Sequence, residues 1–253
     1  MKVTFLGTGT SQGVPVIGCD CEVCKSLDFR DKRLRSSIHL EVQGRSFVID
    51  TGPDFRAQML RESIRRLDAV IYTHEHKDHT AGMDDIRPFN YKQEGDIPIY
   101  GTAKVINQLK EEFSYVFAAK KYPGVPGVLV HEITNQPFDV QGVRITPVEV
   151  MHHRIPVFGY RIRDFVYITD ANKIAPTEIE KVRGCRVLVL NALQIQPHIS
   201  HFNLEEALQM VALIQPERTY FTHISHRLGT VGQIEKMLPR DISLAYDGLQ
   251  LTL

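Results

Sequence analysis

The run YTHEHKDHT, residues 72–80, places three histidines and an aspartate within six consecutive positions, directly behind the mostly apolar segment Leu67–Ile71. In a tight loop after a strand, the side chains of His74, His76, Asp78 and His79 can converge on two neighbouring points. Neutral imidazole and carboxylate are the donors that zinc, manganese and iron accept. Four donors from one loop do not complete two metal shells, so the fold must bring further ligands to the same place. The candidates stand at other strand ends: His152-His153 behind Val150, Asp170 closing VYITD, and His223 closing TYFTH. Each alone has an ordinary reading as a surface histidine or a cap; together they point to one shared site.

Period-two apolar patterns predict strands at VTFL, SIHLEV and RSFVID (a hairpin around Gly44), DAVIYT, IPIYG, 142–150, 158–169 turning at Arg163-Asp164, CRVLVLNAL and RTYFTHI, with a closing hairpin in SLAYDGLQLTL. Helical patterns occupy DFRAQMLRESIRRL, AKVINQLKEEF and LEEALQMVALIQ. Strands in groups with helices in both halves predict an α/β fold, an αββα sandwich of two mixed sheets flanked by helices. With 253 residues and 43% hydrophobic content, one domain over 1–253 is expected. Thirty basic residues balance thirty acidic ones, which removes a global electrostatic case for nucleic acid or a membrane surface. The start MKVTFLGTG enters a strand pattern without a leader, and no apolar run approaches ~20 residues, so a cytoplasmic location is expected.

H-x-H-x-D-H after a strand, a histidine seven residues before the tyrosine of a Gly-Tyr strand, a strand-ending Thr-Asp and a late strand-ending Thr-His resemble the metallo-β-lactamase superfamily over essentially the whole chain. The resemblance implies that His74, His76 and His153 hold one divalent ion, that Asp78, His79 and His223 hold the other, and that Asp170 bridges them. Asp50, ending FVID, matches the aspartate that orients ligands from behind. Asp170, where β-lactamases carry cysteine or serine, points to phosphodiesterase and thioester-hydrolase branches. The flavodiiron branch places Glu where this chain has His76.

GTGTSQGVPVIGCDCEVC adds a glycine-rich loop and a C-x-C-x2-C cluster. Cys19, Cys21 and Cys24 lie too close together to staple distant segments, and with His226 they make a Cys3His set, the usual form of structural zinc. Cys185 heads an apolar strand as a core residue. The combination resembles the phosphoribosyl 1,2-cyclic phosphate phosphodiesterases of phosphonate degradation. That resemblance implies a hydrolase for a small phosphodiester, cyclic in that family, acting through a hydroxide between two Zn or Mn ions. Asp78 and His201 take the catalytic roles, His201 as proton donor 22 residues before His223. His152 and His198 fit no pattern. Alternatives are a transfer-RNA 3′-processing endonuclease, which usually carries a long arm that has no counterpart here, a thioester or lactone hydrolase, and a non-hydrolytic binding protein of pyrroloquinoline-quinone biosynthesis. The expected partner is the small substrate, with neither membrane nor nucleic acid; a homodimer is left open.

Overall fold

The computed structural model describes residues 1–253. The first half contributes β1 (Lys2–Gly7), β2 (Ser37–Val42), β3 (Arg45–Ile49), β4 (Ala69–Ile71), β5 (Ile97–Gly101) and β6 (Val128–Glu132). The second contributes β7 (Phe138–Val140), β8 (Val143–His152), β9 (Ile155–Ile162), β10 (Phe165–Ile168), β11 (Lys173–Ile174), β12 (Val187–Asn191), β13 (Arg218–Thr222), β14 (Ile242–Leu244) and β15 (Gln250–Thr252). They build two mixed sheets, ordered β15-β1-β2-β3-β4-β5-β6 and β11-β8-β9-β10-β12-β13-β14, with β7 paired to β8. Each sheet repeats one plan. Three antiparallel strands, β1-β2-β3 or β8-β9-β10, are followed by parallel additions, β4-β5-β6 or β12-β13-β14.

Side-chain alternation sorts the core into layers. Along β12, Val187 and Val189 join Phe5, Phe47, Ile49 and Tyr160 between the sheets, while Leu188 and Leu190 face outward with Val182, Ala207 and Val211 of the helices Pro176–Val182 and Leu204–Ile214. On the other side, Val48 packs outward with Phe55, Met59, Phe89, Ile106 and Leu109 from the helices that cover the first sheet. This is the αββα sandwich predicted from the pattern of elements.

Three details differ from the sequence reading. The predicted closing hairpin is split: β14 runs parallel beside β13, and β15 runs antiparallel beside β1 in the other sheet. Asp247 in the connecting turn accepts from the Thr8 hydroxyl at 2.8 Å and the Leu34 N–H at 2.7 Å, so the turn is held by tertiary partners across the sheets. The helix predicted across 54–67 covers only Phe55–Arg61, because Ser63 takes a left-handed φ of 53°. Short helices at Arg87–Gln93 and Pro176–Val182, both with proline in the first turn, were too brief to show a helical period.

Candidate metal centre

Strand ends deliver the side chains of the two histidine–aspartate donor sets, and His201 joins them from the segment that leads into the helix Leu204–Ile214. Asp50 directly follows β3, the segment 72–79 follows β4 and carries Asp78 and His79 on the short helix Lys77–Thr80, His152 is the last residue of β8, Asp170 lies two residues beyond β10, and His223 directly follows β13. Asp50, Asp170 and His223 adopt φ values of 65°, 58° and 54°. Non-glycine residues in this region cost roughly 1–3 kcal/mol each, and the bend turns the side chain off the strand line toward the common centre. Gly52 lets the segment after β3 pack directly against the histidine-rich segment after β4: a Cβ there would collide with the carbonyl of Asp78.

Hydrogen bonds fix the imidazole tautomers from behind. Asp50 accepts from the Thr73 N–H and hydroxyl, both at 2.8 Å, and from His79 Nδ1 at 2.7 Å. The Thr73 proton is thereby used, so Thr73 Oγ1 accepts from His74 Nδ1 at 3.0 Å. His152 Nδ1 donates to the Ser200 carbonyl at 2.9 Å. Each bond leaves an Nε2 lone pair for the centre, the usual arrangement for ligating histidine.

Two donor sets result. One ligand atom each from His74, His76 and His152 lie within 4.8 Å of one another, as do those of Asp78, His79, Asp170 and His223. Asp170 also groups with His152 and His201. His79 Nε2 is 3.2 Å from Asp78 Oδ2 and 3.3 Å from Asp170 Oδ2, and His223 Nε2 is 3.2 Å from Asp170 Oδ1.

His153, the ligand implied by family resemblance, is not among these residues. It is exposed in the turn after β8 with a φ of 55°, and its backbone N–H donates to Asn172 Oδ1. His152 takes the place instead. Counting by twos along β8, the buried Val148, Val150 and His152 share a face, and a shift of one residue turns a side chain away. That parity was available in the sequence and would have selected His152. His198, for which the sequence offered no pattern, stacks on His201 with ring centroids 5.2 Å apart, and His201 stacks on His223 at 4.9 Å.

The centre fits divalent cations. His79 Nε2, His201 Nδ1 and the Nδ1 of His223 are buried without a hydrogen-bond partner. Burial alone would lower His79, yet Asp78, Asp170 and Asp50 together raise it well above the ordinary histidine value. Burial would raise Asp170, but His223 and His79 hold it well below the carboxylate range. Three carboxylates around one imidazole therefore demand positive charge, and a cation supplies it without occupying the Nε2 lone pair with a proton. Burial holds His74 well below its usual value and pushes His201 down to about 3.

A second cluster lies apart from the first. Cys19, Cys21, Cys24 and His226 bring one ligand atom each within 4.8 Å of one another. His226 Nδ1 stands 3.2, 3.5 and 3.6 Å from the three sulfurs. Tetrahedral zinc with bonds of ~2.3 Å to sulfur and ~2.0 Å to nitrogen separates such ligands by ~3.5 Å, so the spacing fits. The Cys24 N–H donates to Cys21 Sγ, and with other polar neighbours this lowers the Cys21 thiol to about 6; burial pushes Cys24 up to about 11. Cys185 is fully buried in the core, away from this set.

No helix is long and apolar enough to cross a membrane. Residues 45–224 match the family model described as the beta-lactamase superfamily domain, a span that contains both histidine–aspartate donor sets. A Porphyromonas gingivalis protein named octanoyltransferase is 38% identical over 99% of this chain and 51% of its own length. A ribonuclease Z of Staphylococcus epidermidis is 25% identical over 85% of this chain and 62% of its own. The chain thus spans about half to three fifths of these curated relatives. A crystal structure described as a new diphosphatase from the PhnP family superposes with a TM-score of 0.93 at 40% identity, covering 100% of this chain and 97% of that one. Fold, strand-end donors and these matches agree: the chain belongs to the metallo-β-lactamase superfamily.

Proposed function

We propose that the protein is a dinuclear-metal phosphodiesterase for small phosphodiesters. The observation that carries this reading is Asp170, which stands with Asp78, His79 and His223 in one donor set and also groups with His152 of the other and with His201. His74, His76 and His152 would hold one ion, Asp78, His79 and His223 the other, with Asp170 between. Two such cations supply Lewis acidity toward phosphoryl oxygens and make a water nucleophilic near neutral pH.

The chain's own residues do the rest. Asp50 and Thr73 keep the ligating nitrogens aimed. Asp78 belongs with the ligands and reaches His79 directly. His201 is nearly buried and its Nδ1 lies 3.8 Å from Asp170 Oδ1, which places an imidazole beside the donor sets without a rigid bond to either. It enters neutral, because burial depresses it, and can therefore take up the proton that the attacking water gives up. It then serves the leaving oxygen. The Cys3His set would hold a structural zinc.

A second reading, hydrolysis of a diphosphate bond, draws support from the 40% identical diphosphatase. The same attack on phosphorus serves both. The test is protein reconstituted with Zn or Mn and offered bis(4-nitrophenyl) phosphate, cyclic nucleotides, a nucleoside diphosphate, transfer-RNA precursor, a lactone and an octanoyl thioester, the last because a relative twice this length is named for octanoyl transfer. Turnover of small diesters is expected; turnover of only the lactone or thioester would displace the phosphoryl reading.

A further inference from the structure

The end of the sandwich opposite the metal centre carries three hairpin turns: Gln43-Gly44 between β2 and β3, Gln141-Gly142 between β7 and β8, and Arg163-Asp164 between β9 and β10. At ~3.3 Å per residue, Arg144 near the start of β8 lies ~26 Å from His152 at its end. The first residue of each turn takes a left-handed φ, 53° at Gln43, 51° at Gln141 and 55° at Arg163. Glycine follows in the first two, whereas an arginine held in that conformation ahead of an aspartate is uncommon for so bulky a side chain. Between the turns lies an open depression of about 370 Å³, lined by Gln43, Gly142, Arg144, Thr146, Arg161 and Arg163.

Arg144, Arg161 and Arg163 share this depression, and no carboxylate lines it. Thr146 stands directly opposite Arg161 on the β8–β9 pair, and Arg144 precedes it on the same face of β8. Arg161 is held from behind: its Nε donates to the Arg163 carbonyl at 2.9 Å and its Nη1 to the Lys181 carbonyl at 2.8 Å, while Nη2 lies 3.8 Å from the exposed Asp164. Arg163 Nη2 donates to the Gln43 side-chain oxygen at 2.6 Å, and the Gln43 amide donates to the Gly142 carbonyl at 3.3 Å, so a turn of one sheet is tied to two turns of the other. The Arg144 guanidinium has neither a hydrogen bond nor an ion pair; Asp139, which stands opposite it on β7, accepts the Gly142 N–H at 2.7 Å. Like charges gathered by backbone turns, with no carboxylate between them, repel one another until an anion joins them.

We propose that this depression is a ligand site separate from the metal centre, and that it takes the phosphate ester of a small polar molecule. Guanidinium meets an oxyanion through paired N–H donors. A planar carboxylate offers two oxygens, while a tetrahedral phosphate offers acceptors toward several sides at once and so suits guanidinium groups arriving from two strands and a turn. The volume lies within the ~300–1,000 Å³ of small-molecule pockets, which leaves room beside the phosphate for a polar remainder. Thr146 supplies a hydroxyl for that remainder. An occupant touching Arg144 and Arg161 of one sheet and the Gln43 turn of the other bridges the two sheets, and a ligand that binds only the folded chain raises its stability. No bond is made or broken there, so occupancy is independent of the reaction at the metals.

The test is calorimetry and thermal unfolding of the metal-loaded protein with glucose 6-phosphate, glycerol 3-phosphate and adenosine 5′-monophosphate, beside inorganic phosphate and glucose. At least one ester is expected to bind more tightly than inorganic phosphate and to raise Tm, with glucose inert. Arg144→Ala removes no internal bond and should keep the parent's fold and metal content, yet it should weaken ester binding at least tenfold and cancel the Tm shift. Arg144→Lys should recover part of both. Phosphate groups also settle on divalent cations, so His152→Ala is the control. Binding that survives Arg144→Ala and disappears in His152→Ala belongs to the metals and overturns the site. The absence of Arg144-dependent binding of all three esters at millimolar concentration overturns it too. Arg144-dependent binding with equal affinity for inorganic phosphate overturns the assignment to an ester.

Discussion

His79 Nδ1 lies 2.7 Å from Asp50 Oδ2, and both side chains are fully buried. Asp50 reaches no donor set itself, yet it accepts three hydrogen bonds that aim His79 and, through Thr73, His74. An asparagine presents one acceptor oxygen and one NH2 group to those three donors. Asp50→Asn should therefore weaken metal affinity about 10–100-fold, measured by competition with a chelator, with little change in secondary structure. Unchanged affinity would remove Asp50 from this role.

The exchange of neighbours at the end of β8 gives a paired comparison. His152→Ala should lose metal and activity together, whereas His153→Ala should stay within a few-fold of the parent in both. Elemental analysis and kcat/KM on a nitrophenyl diester decide it, and a reversed pair would restore the assignment based on family resemblance.

Cys21→Ser should lower stability more than the specific activity of the molecules that remain folded, because a closed metal site contributes folding free energy. Urea titration beside a per-folded-molecule rate makes the comparison. Full stability with activity abolished would move the cluster into the reaction.

His39 predicts an acid sensitivity remote from the metals. It is buried, and its Nε2 donates to Ser46 Oγ, whose own proton goes to the Arg66 carbonyl. Burial lowers its pKa to about 4, with Glu41 opposing and Lys2 assisting. The folded state stays neutral while the unfolded chain takes up a proton below ~6.5, so this stability is complete above that pH and is lost as pH falls to about 4. The loss is about 3 kcal/mol. Stability measured from pH 7 to 4 should fall further in the parent than in His39→Gln; parallel curves would refute the account.

His201→Ala should retain both metals and slow an alkyl diester by about 10² to 10⁴, but slow a nitrophenyl diester much less, since nitrophenolate leaves without a proton. Asp170→Ala should instead lose metal along with all turnover. Equal slowing of both diesters by His201→Ala would make that residue a positioning group.

The sandwich and the location of its site were legible because both rest on local pattern. Period-two apolar runs mark strands, and H-x-H-x-D-H behind one of them marks where strand ends gather. The Cys19, Cys21, Cys24 and His226 grouping was legible for the same reason, through the close spacing of three thiols. What escaped depends on single-residue parity or on distant partners. His152 and His153 differ only in which face of β8 they occupy, and family spacing alone selected the wrong one. The final two strands part because Asp247 answers Thr8 and Leu34 some two hundred residues earlier, a contact that no window of sequence contains.

The left-handed backbone at Asp50, Asp170 and His223 has a thermodynamic consequence for loading the centre. These side chains are aimed by a bent main chain locked between strands, so few rotamers remain to be frozen when an ion arrives. Uptake should then carry little conformational-entropy penalty, while the ion must take the place of the proton that the surrounding carboxylates favour on His79. The folding reaction has already ordered the ligands, and the strain at those three bends is the store from which that order is drawn.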